Sequence, residues 1–335
     1  MDDLPTRISA ATSDLHHNLN QLIICRLPLC LPPYASTPQL YALGLSRFAQ
    51  VYFTFESAWL GLIKEVDPSA PASKFIGDDH GGINHVLRQI YIPEILRSDR
   101  LRSDLSKLTL WTATDLTVEN ERNGMAARNF VSHINDVIQH KPHVLLAYTW
   151  IMYMALFNGG RWIRGKLMKG GREYWENGAK GLSSLKGRSD AAPVNSEEAH
   201  PCLSFWLFDG AQDGEAIKRD FKARLRQAAN SLTEPERIDV ISEARKIFNF
   251  CEEIILELDV EASIERCVSS SSSPCSPKID TTTREAPCVD YLRSLLIGIA
   301  GVLLSLCLIL ASEQRGGADS QPAAFKGQIT QPRYP

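Results

Sequence analysis

Two adjacent histidines, His16 and His17, stand in the first stretch of helical periodicity. Residues three, four and seven apart share one face of a helix. His16 shares its face with Thr12, Leu19 and Ile23 and leans toward the core, whereas His17 shares its face with Ser13, Asn20 and Gln21 and leans toward water. A neutral imidazole on an apolar face can ligate haem iron, and it can equally be a core histidine satisfied by a local hydrogen bond. A second feature is Asn158-Gly159-Gly160, set among bulky apolar residues of a long helical pattern. Glycine costs about 1 kcal/mol relative to alanine inside a helix, so two in a row imply a bend, a flat ligand lying on bare backbone, or close helix packing. A third is Lys218 and Lys222, four apart on a later helix, with Arg224 and Arg226 beside them. Such a pair can hold two carboxylates or simply form a solvated basic face. No Ser/His/Asp set, Walker loop or GxGxxG stands in the chain. Glu94, Glu243 and Glu252 are conceivable metal carboxylates, but no helix carries the Glu-x-x-His ligand pattern of a di-iron bundle.

The elements that must position these residues read as helices throughout, which makes the fold class all-α. Thr37-Pro38 is a helix start, with Thr as cap and Pro in the first turn, and the helix runs to about Val66 on the apolar residues Leu40, Leu43, Phe48, Val51, Tyr52, Phe55 and Trp59. Asp67 to Gly82, rich in Pro and Gly, is a loop. Shorter helices are expected over Ile83–Leu96, Ser103–Leu116 and Ala126–Gln139, and one long helix from Pro142 to about Lys169. Ser183 to Pro201 has no apolar period and reads as a loop. Helices resume over Gly214–Ser231 and Glu234–Glu261.

Residues 1–262 thus form one helical domain. Residues 263–290, rich in Ser, Pro and Thr, cannot bury apolar surface and are expected to be a disordered tether. Within residues 291–312, the run Ser294 to Ser312 contains no charge. Roughly 20 apolar residues cross a bilayer as a helix, so this run is expected to be a transmembrane anchor, followed by a short polar tail over 313–335. The N-terminus has no apolar secretory segment, so the helical domain is expected to face the cytosol from a single-pass tail anchor, in the endoplasmic reticulum or the mitochondrial outer membrane. A net charge of −3 and the lack of a long Lys/Arg block argue against nucleic acid as a partner. The eight cysteines form no CxxC pair, which suits free thiols.

Four segments, in order, resemble the haem oxygenase family, and its fungal members in particular. They are Ser13-Asp14-Leu15-His16; Tyr91-Ile92-Pro93-Glu94-Ile95-Leu96 with Asp104-Leu105; Asn158-Gly159-Gly160; and Ser242 to Asn249. The resemblance covers roughly residues 8–260 and implies a single all-α domain holding haem, both substrate and cofactor, between the first helix and a kinked distal helix. It implies His16 as axial ligand of the haem iron, Gly159 and Gly160 as the close backbone approach, Lys218 and Lys222 as propionate contacts with Arg224 as the alternative, and Phe248 as pocket lining. It also implies cleavage of haem to biliverdin, carbon monoxide and iron, with electrons from NADPH through a membrane-bound partner reductase. One departure stands out. The family's distal helix carries an aspartate that organises proton-delivering waters, and here that position is Leu156, which can neither donate nor accept a hydrogen bond. Asn158 and Arg161 are the nearest polar substitutes. Three functions follow: a membrane-anchored haem oxygenase with an altered distal pocket, a haem-binding or haem-sensing protein without turnover, and an interaction scaffold that takes up no haem.

Overall fold

The computed structural model describes residues 3–64, 81–112, 124–177, 202–210 and 212–271. The chain divides into two units, residues 1–272 and 273–335, and every described residue lies in the first. The expected loops over 67–80 and 183–201, the apolar run and the polar tail lie outside the described residues. Among the described residues all regular elements are helical, none is long and apolar enough to cross a membrane, and Cys25, Cys30, Cys202 and Cys251 are free thiols.

Helix α1 spans Leu4–Arg26 and starts where the Asp3 carboxylate accepts from the Thr6 amide at 2.9 Å. Helix α2 spans Gln39–Lys64. The Pro38 carbonyl accepts the Ala42 amide at 2.9 Å, so Pro38 is the boundary residue and the helix starts one position later than expected. Helix α3, Gly81–Gln89, opens on glycines expected in a loop and stops short of Leu96. Pro93 disfavours the helical conformation at the residue before it, and Ile92 is extended (φ −135°, ψ 114°), so Pro93–Ile95 form a separate 3-10 turn. Helices α4, Ser98–Thr112, and α5, Met125–His140, follow.

The single long helix expected over 142–169 is instead a relay. It comprises a 3-10 turn at Pro142–Val144, helix α6 over Leu145–Ala155, a π-helical turn over Leu156–Gly160 and helix α7 over Arg161–Leu167. A further 3-10 turn, Met168–Gly170, leads into α8, Gly171–Asn177, a helix that the sequence pattern did not suggest. Helix α9 spans Glu215–Ala229 and α10 spans Glu234–Ser271. Helix α10 extends nine residues past Ala262, to Ser271. Ala262, Ile264, Glu265 and Arg266 sustain helix propensity, and only the serine run after Val268 lacks it.

The core explains the arrangement. Helix α6 is buried on every side, from Leu145 through Met154, as a central helix must be. Helix α2 packs beside it through Tyr52, Phe55 and Trp59. Helices α1 and α10 run parallel, tied by Arg7 to Glu234 at 2.6 Å, Arg245 to the Ala11 carbonyl at 2.9 Å and Arg26 to Asp259 at 2.5 Å. Exposed pairs of this kind contribute only about 0–1 kcal/mol each, so they set register more than stability. A capping box opens α10: the Thr233 amide donates to Glu236 at 2.7 Å and the Glu236 amide to Thr233 Oγ1 at 3.4 Å. Helix α1 buries only Leu4, Pro5, Ile8 and Thr12. Its second half, which carries His16, is only partly buried and packs on the core through Leu19.

Candidate functional site

The π-turn falls on the residues that the sequence singled out. A π-turn holds one residue more than an α-turn and is typical of functional positions in helices. The two glycines in it are not equivalent. Nothing lies within 4 Å of the place where a Gly159 side chain would begin, whereas Gly160 is backed by the Trp206 ring at 3.5 Å. Asn158 is exposed. Leu156 is buried at 4 % exposure, and a carboxylate in its place would have to enter that packed environment or turn out of it.

Residues 204–210 and 212–215 pin this turn from behind. Phe208 stacks on Phe157 with ring centroids 4.1 Å apart, and the Arg97 guanidinium lies 4.1 Å from the Phe208 ring centroid. Arg161 donates to the carbonyls of Gln212 (2.8 Å) and Asp213 (3.0 Å) and to Glu215 (2.8 Å). Arg164 meets Asp213 at 2.7 Å as an ion pair rather than an aligned hydrogen bond. Gln212 and Asp213 are left-handed, at φ 58° and 52°. That conformation costs an ordinary L-residue about 1–2 kcal/mol, less for a short polar side chain that bonds locally. Asp213 does so, accepting the Phe208 amide at 2.9 Å. Gly214 follows at φ 81°, where a Cβ would stand 2.5 Å from that of Phe208, so no larger residue fits.

The segments that carry the family resemblance build this support. Asp104 is fully buried and accepts from Ser204 Oγ at 2.6 Å and the Phe205 amide at 2.7 Å, fixing the turn that carries Trp206. Arg97, next to Leu96, donates to the carbonyls of Glu94, Ile95 and Leu207. Burial pushes its pKa down to about 10, with repulsion from Arg100 acting in the same direction, so the guanidinium remains charged at neutral pH. Glu56, also buried, accepts from the Arg97 and Ser98 amides, the Ser98 hydroxyl and the Tyr153 hydroxyl at 2.8, 2.9, 2.5 and 2.8 Å. Glu243 accepts from Tyr148 at 2.6 Å, lies 2.7 Å from His133 Nε2 and pairs with Lys246 at 3.3 Å. It ties α10 to α5 and α6 and is not free to hold a metal. Among the described residues no cluster of three or more His, Cys, Asp or Glu could do so.

On α1, His16 meets Phe248 of α10 edge-on, with ring centroids 6.0 Å apart. Burial of the ring lowers the His16 pKa below the ordinary 6.5, and the neighbouring His17 acts in the same direction. By exposed area, however, His16 is a surface residue, as is His17. The ring therefore retains an open edge and its loss of hydration is partial. His16 alone of the two has an aromatic neighbour among the described contacts. Phe248 is itself buried.

Helix α9 completes the arrangement. Lys218, Lys222 and Arg226 recur every four residues and share a face. At one end Lys218 lies 3.7 Å from Glu215, which also holds Arg161 of the distal side. At the other end Arg226 meets Asp3, at the start of α1, at 3.0 Å. Lys222, between them, is half-buried and makes no ion pair with a described residue. Arg224 points elsewhere, pairing with Asp220 at 2.9 Å and donating to the Tyr91 carbonyl at 3.0 Å. The residues present therefore suit a flat, dianionic group with a metal centre: an imidazole with an open edge, bare space above Gly159 and an uncommitted lysine. A surface groove lined by Phe53, Leu60, Pro93, Asp99 and Arg102 contains none of these residues.

Asp213, Glu215, Trp206 and Phe208 escaped the sequence reading. The only local signal is the Asp-Gly pair at 213–214, a turn signature that carries no hint of what the turn holds.

A family model described as heme oxygenase matches residues 81–257. The chain is 22% identical over 265 residues to Heme-binding protein HMX1 of Saccharomyces cerevisiae, across 76% of this chain and 75% of that protein. It is 26% identical over 139 residues to heme oxygenase 2 of Rattus norvegicus, which covers 42% of this chain but only 36% of that protein. Among solved structures, it is similar to heme oxygenase from Leptospira interrogans, with a TM-score of 0.51 at 19% identity over 76% of this chain and 98% of that one. It is also similar to heme oxygenase-2 from Synechocystis in complex with heme and NO, with a TM-score of 0.51 at 17% identity over 85% of this chain and 100% of that one. At such identities the structures share the fold. The family-model match starts at residue 81, so α1 and His16 lie outside it.

Proposed function

This chain belongs to the haem oxygenase family, and on that premise we propose that it binds haem between α1 and the 156–160 turn and cleaves it to biliverdin, carbon monoxide and iron. The observation that carries the proposal is His16, an imidazole with an open edge seated on Phe248, its pKa lowered so that the neutral, ligating form prevails. Haem, when bound, would activate dioxygen with electrons delivered from NADPH, the dioxygen supplying the oxygen atoms of biliverdin and carbon monoxide, and would itself be consumed. The chain's residues orient it. His16 would ligate the iron, with Phe248 holding the imidazole edge-on, Gly159 would admit the ring close to the backbone, and Lys222 with Lys218 would meet the propionates.

Proton delivery is the altered step. Leu156 leaves no side-chain donor or acceptor where the family has a carboxylate. Arg161 is committed to the 212–215 segment, so Asn158, exposed and without a described partner, is the side chain available to hold water there. Slow turnover follows, and a haem-binding protein without turnover is the second reading, favoured by buried Leu156. The uncharged run Ser294–Ser312 would anchor the domain in a membrane from its C-terminal side, with the domain in the cytosol beside an NADPH-dependent reductase. The test is to supply the full-length chain in detergent with hemin, reductase and NADPH. Biliverdin formed at a low rate supports the oxygenase. Stable bound haem with no biliverdin moves the protein to the second reading.

A further inference from the structure

We infer that Asp213 is a positioning residue for the distal turn, setting the 156–160 backbone against a bound haem through Arg161 and Arg164 without touching the haem itself. The inference rests on the haem-binding proposal above for its consequence, but not for its geometry. Three contacts pin the turn: Phe157 on Phe208, Gly160 on Trp206, and the two arginines just beyond the turn on residues 212–215. Asp213 joins the first and third directly and the second through Arg164. Its Oδ1 accepts the Phe208 amide at 2.9 Å, its Oδ2 meets Arg164 at 2.7 Å and Arg161 Nε at 3.5 Å, and its carbonyl accepts from Arg161 at 3.0 Å. Arg164 also donates to the Trp206 carbonyl at 3.1 Å. One carboxylate therefore fixes both the aromatic backing of the turn and the two cations at its C-terminal edge.

The conformation of the loop supports a role beyond simple closure. Gln212 and Asp213 are held in the left-handed region, which needs surrounding contacts to maintain it, and Gly214 continues the run where Phe208 excludes any side chain. The same loop opens α9, so Glu215 links Arg161 at 2.8 Å to Lys218 at 3.7 Å. The distal turn and the basic face of α9 therefore share a single anchor.

The experiment compares full-length native chain in detergent with Asp213→Asn, Asp213→Ala and Asp213→Glu. Hydrogen–deuterium exchange is read without haem, and azide affinity is read on the hemin complex. Expected for Asp213→Ala is at least tenfold faster amide exchange over 156–160, unchanged exchange in the α1 and α10 amides around His16 and Phe248, and an azide affinity altered at least fivefold while the His16-dependent Soret band is retained. Asp213→Asn should show an intermediate effect, because it retains one acceptor and loses the charge, and Asp213→Glu should recover part of the native exchange. Unchanged exchange over 156–160 in Asp213→Ala overturns the inference, as does faster exchange spread evenly over the whole domain. If the native chain takes up no hemin, the haem-binding proposal fails and the exchange measurement alone decides for or against Asp213.

Discussion

His16 and Phe248 meet edge-on at 85°, with ring centroids 6.0 Å apart, and so join the half-buried second half of α1 to the buried face of α10. The contact gives a surface histidine a fixed orientation. It also predicts a difference between neighbours: His16→Ala should abolish axial ligation of bound hemin, seen in the Soret band, and His17→Ala should leave it largely intact. Loss of the band in His17→Ala alone would reverse the assignment.

The lowered pKa of His16 predicts how ligation responds to pH. A histidine with a folded pKa below 6.5 retains its neutral form to lower pH than a free imidazole, and loses ligating ability only as the pH falls through the lowered value. The ligated Soret spectrum should therefore persist at pH 6.5 and fade below it. Fading that begins above pH 7 would show a raised pKa and contradict this account.

Lys222 and Arg224 are predicted to differ although only two residues separate them. Lys222→Glu should weaken hemin binding by about tenfold, or about 1.4 kcal/mol, since an uncommitted cation becomes a repelling anion. Arg224→Glu should change it far less, because Arg224 is engaged with Asp220 and the Tyr91 carbonyl. Equal losses in a hemin titration would remove the distinction.

Leu156→Asp should raise biliverdin yield if water reaches the distal turn. Placing a carboxylate at a position 4 % exposed costs several kcal/mol when it finds no partner, so the urea midpoint should fall as activity rises. Efficient biliverdin formation by the native chain, with no gain from the substitution, would assign proton delivery to Asn158 or to ordered water.

Glu56→Ala should destabilise the domain by about 3–5 kcal/mol, because it leaves the buried Arg97 amide and Tyr153 hydroxyl, and the half-buried Ser98 amide and hydroxyl, without their acceptor. Urea denaturation measures this directly. A loss under 1 kcal/mol would mean that water replaces the carboxylate.

Much of this arrangement was legible in the sequence because periodicity and punctuation are local. Helices α2, α5, α9 and α10 follow from apolar spacing, and the glycine pair marked the place where the distal helix departs from α geometry. The face analysis set His16 apart from His17; both are exposed, and of the two only His16 has an aromatic neighbour among the described contacts, Phe248. What was not legible depends on contacts distant in sequence. Asp213 acquires its meaning from arginines about fifty residues earlier, and Gly160 from Trp206. Lys222 could be told from Arg224 only once α9 was seen spanning from Glu215 to Asp3. The break after α6 and the short helix α8 are set by packing and by Gly171 at φ 75°, which apolar spacing does not register.

The most direct measurement is a hemin titration of the full-length chain in detergent, repeated with His16→Gly in the presence and absence of imidazole. The account predicts saturation at one hemin per chain, loss of the ligated Soret band in His16→Gly, and its return when imidazole fills the vacated position. Absence of stoichiometric uptake by the native chain, or a His16→Gly spectrum identical to the native one without imidazole, would contradict it.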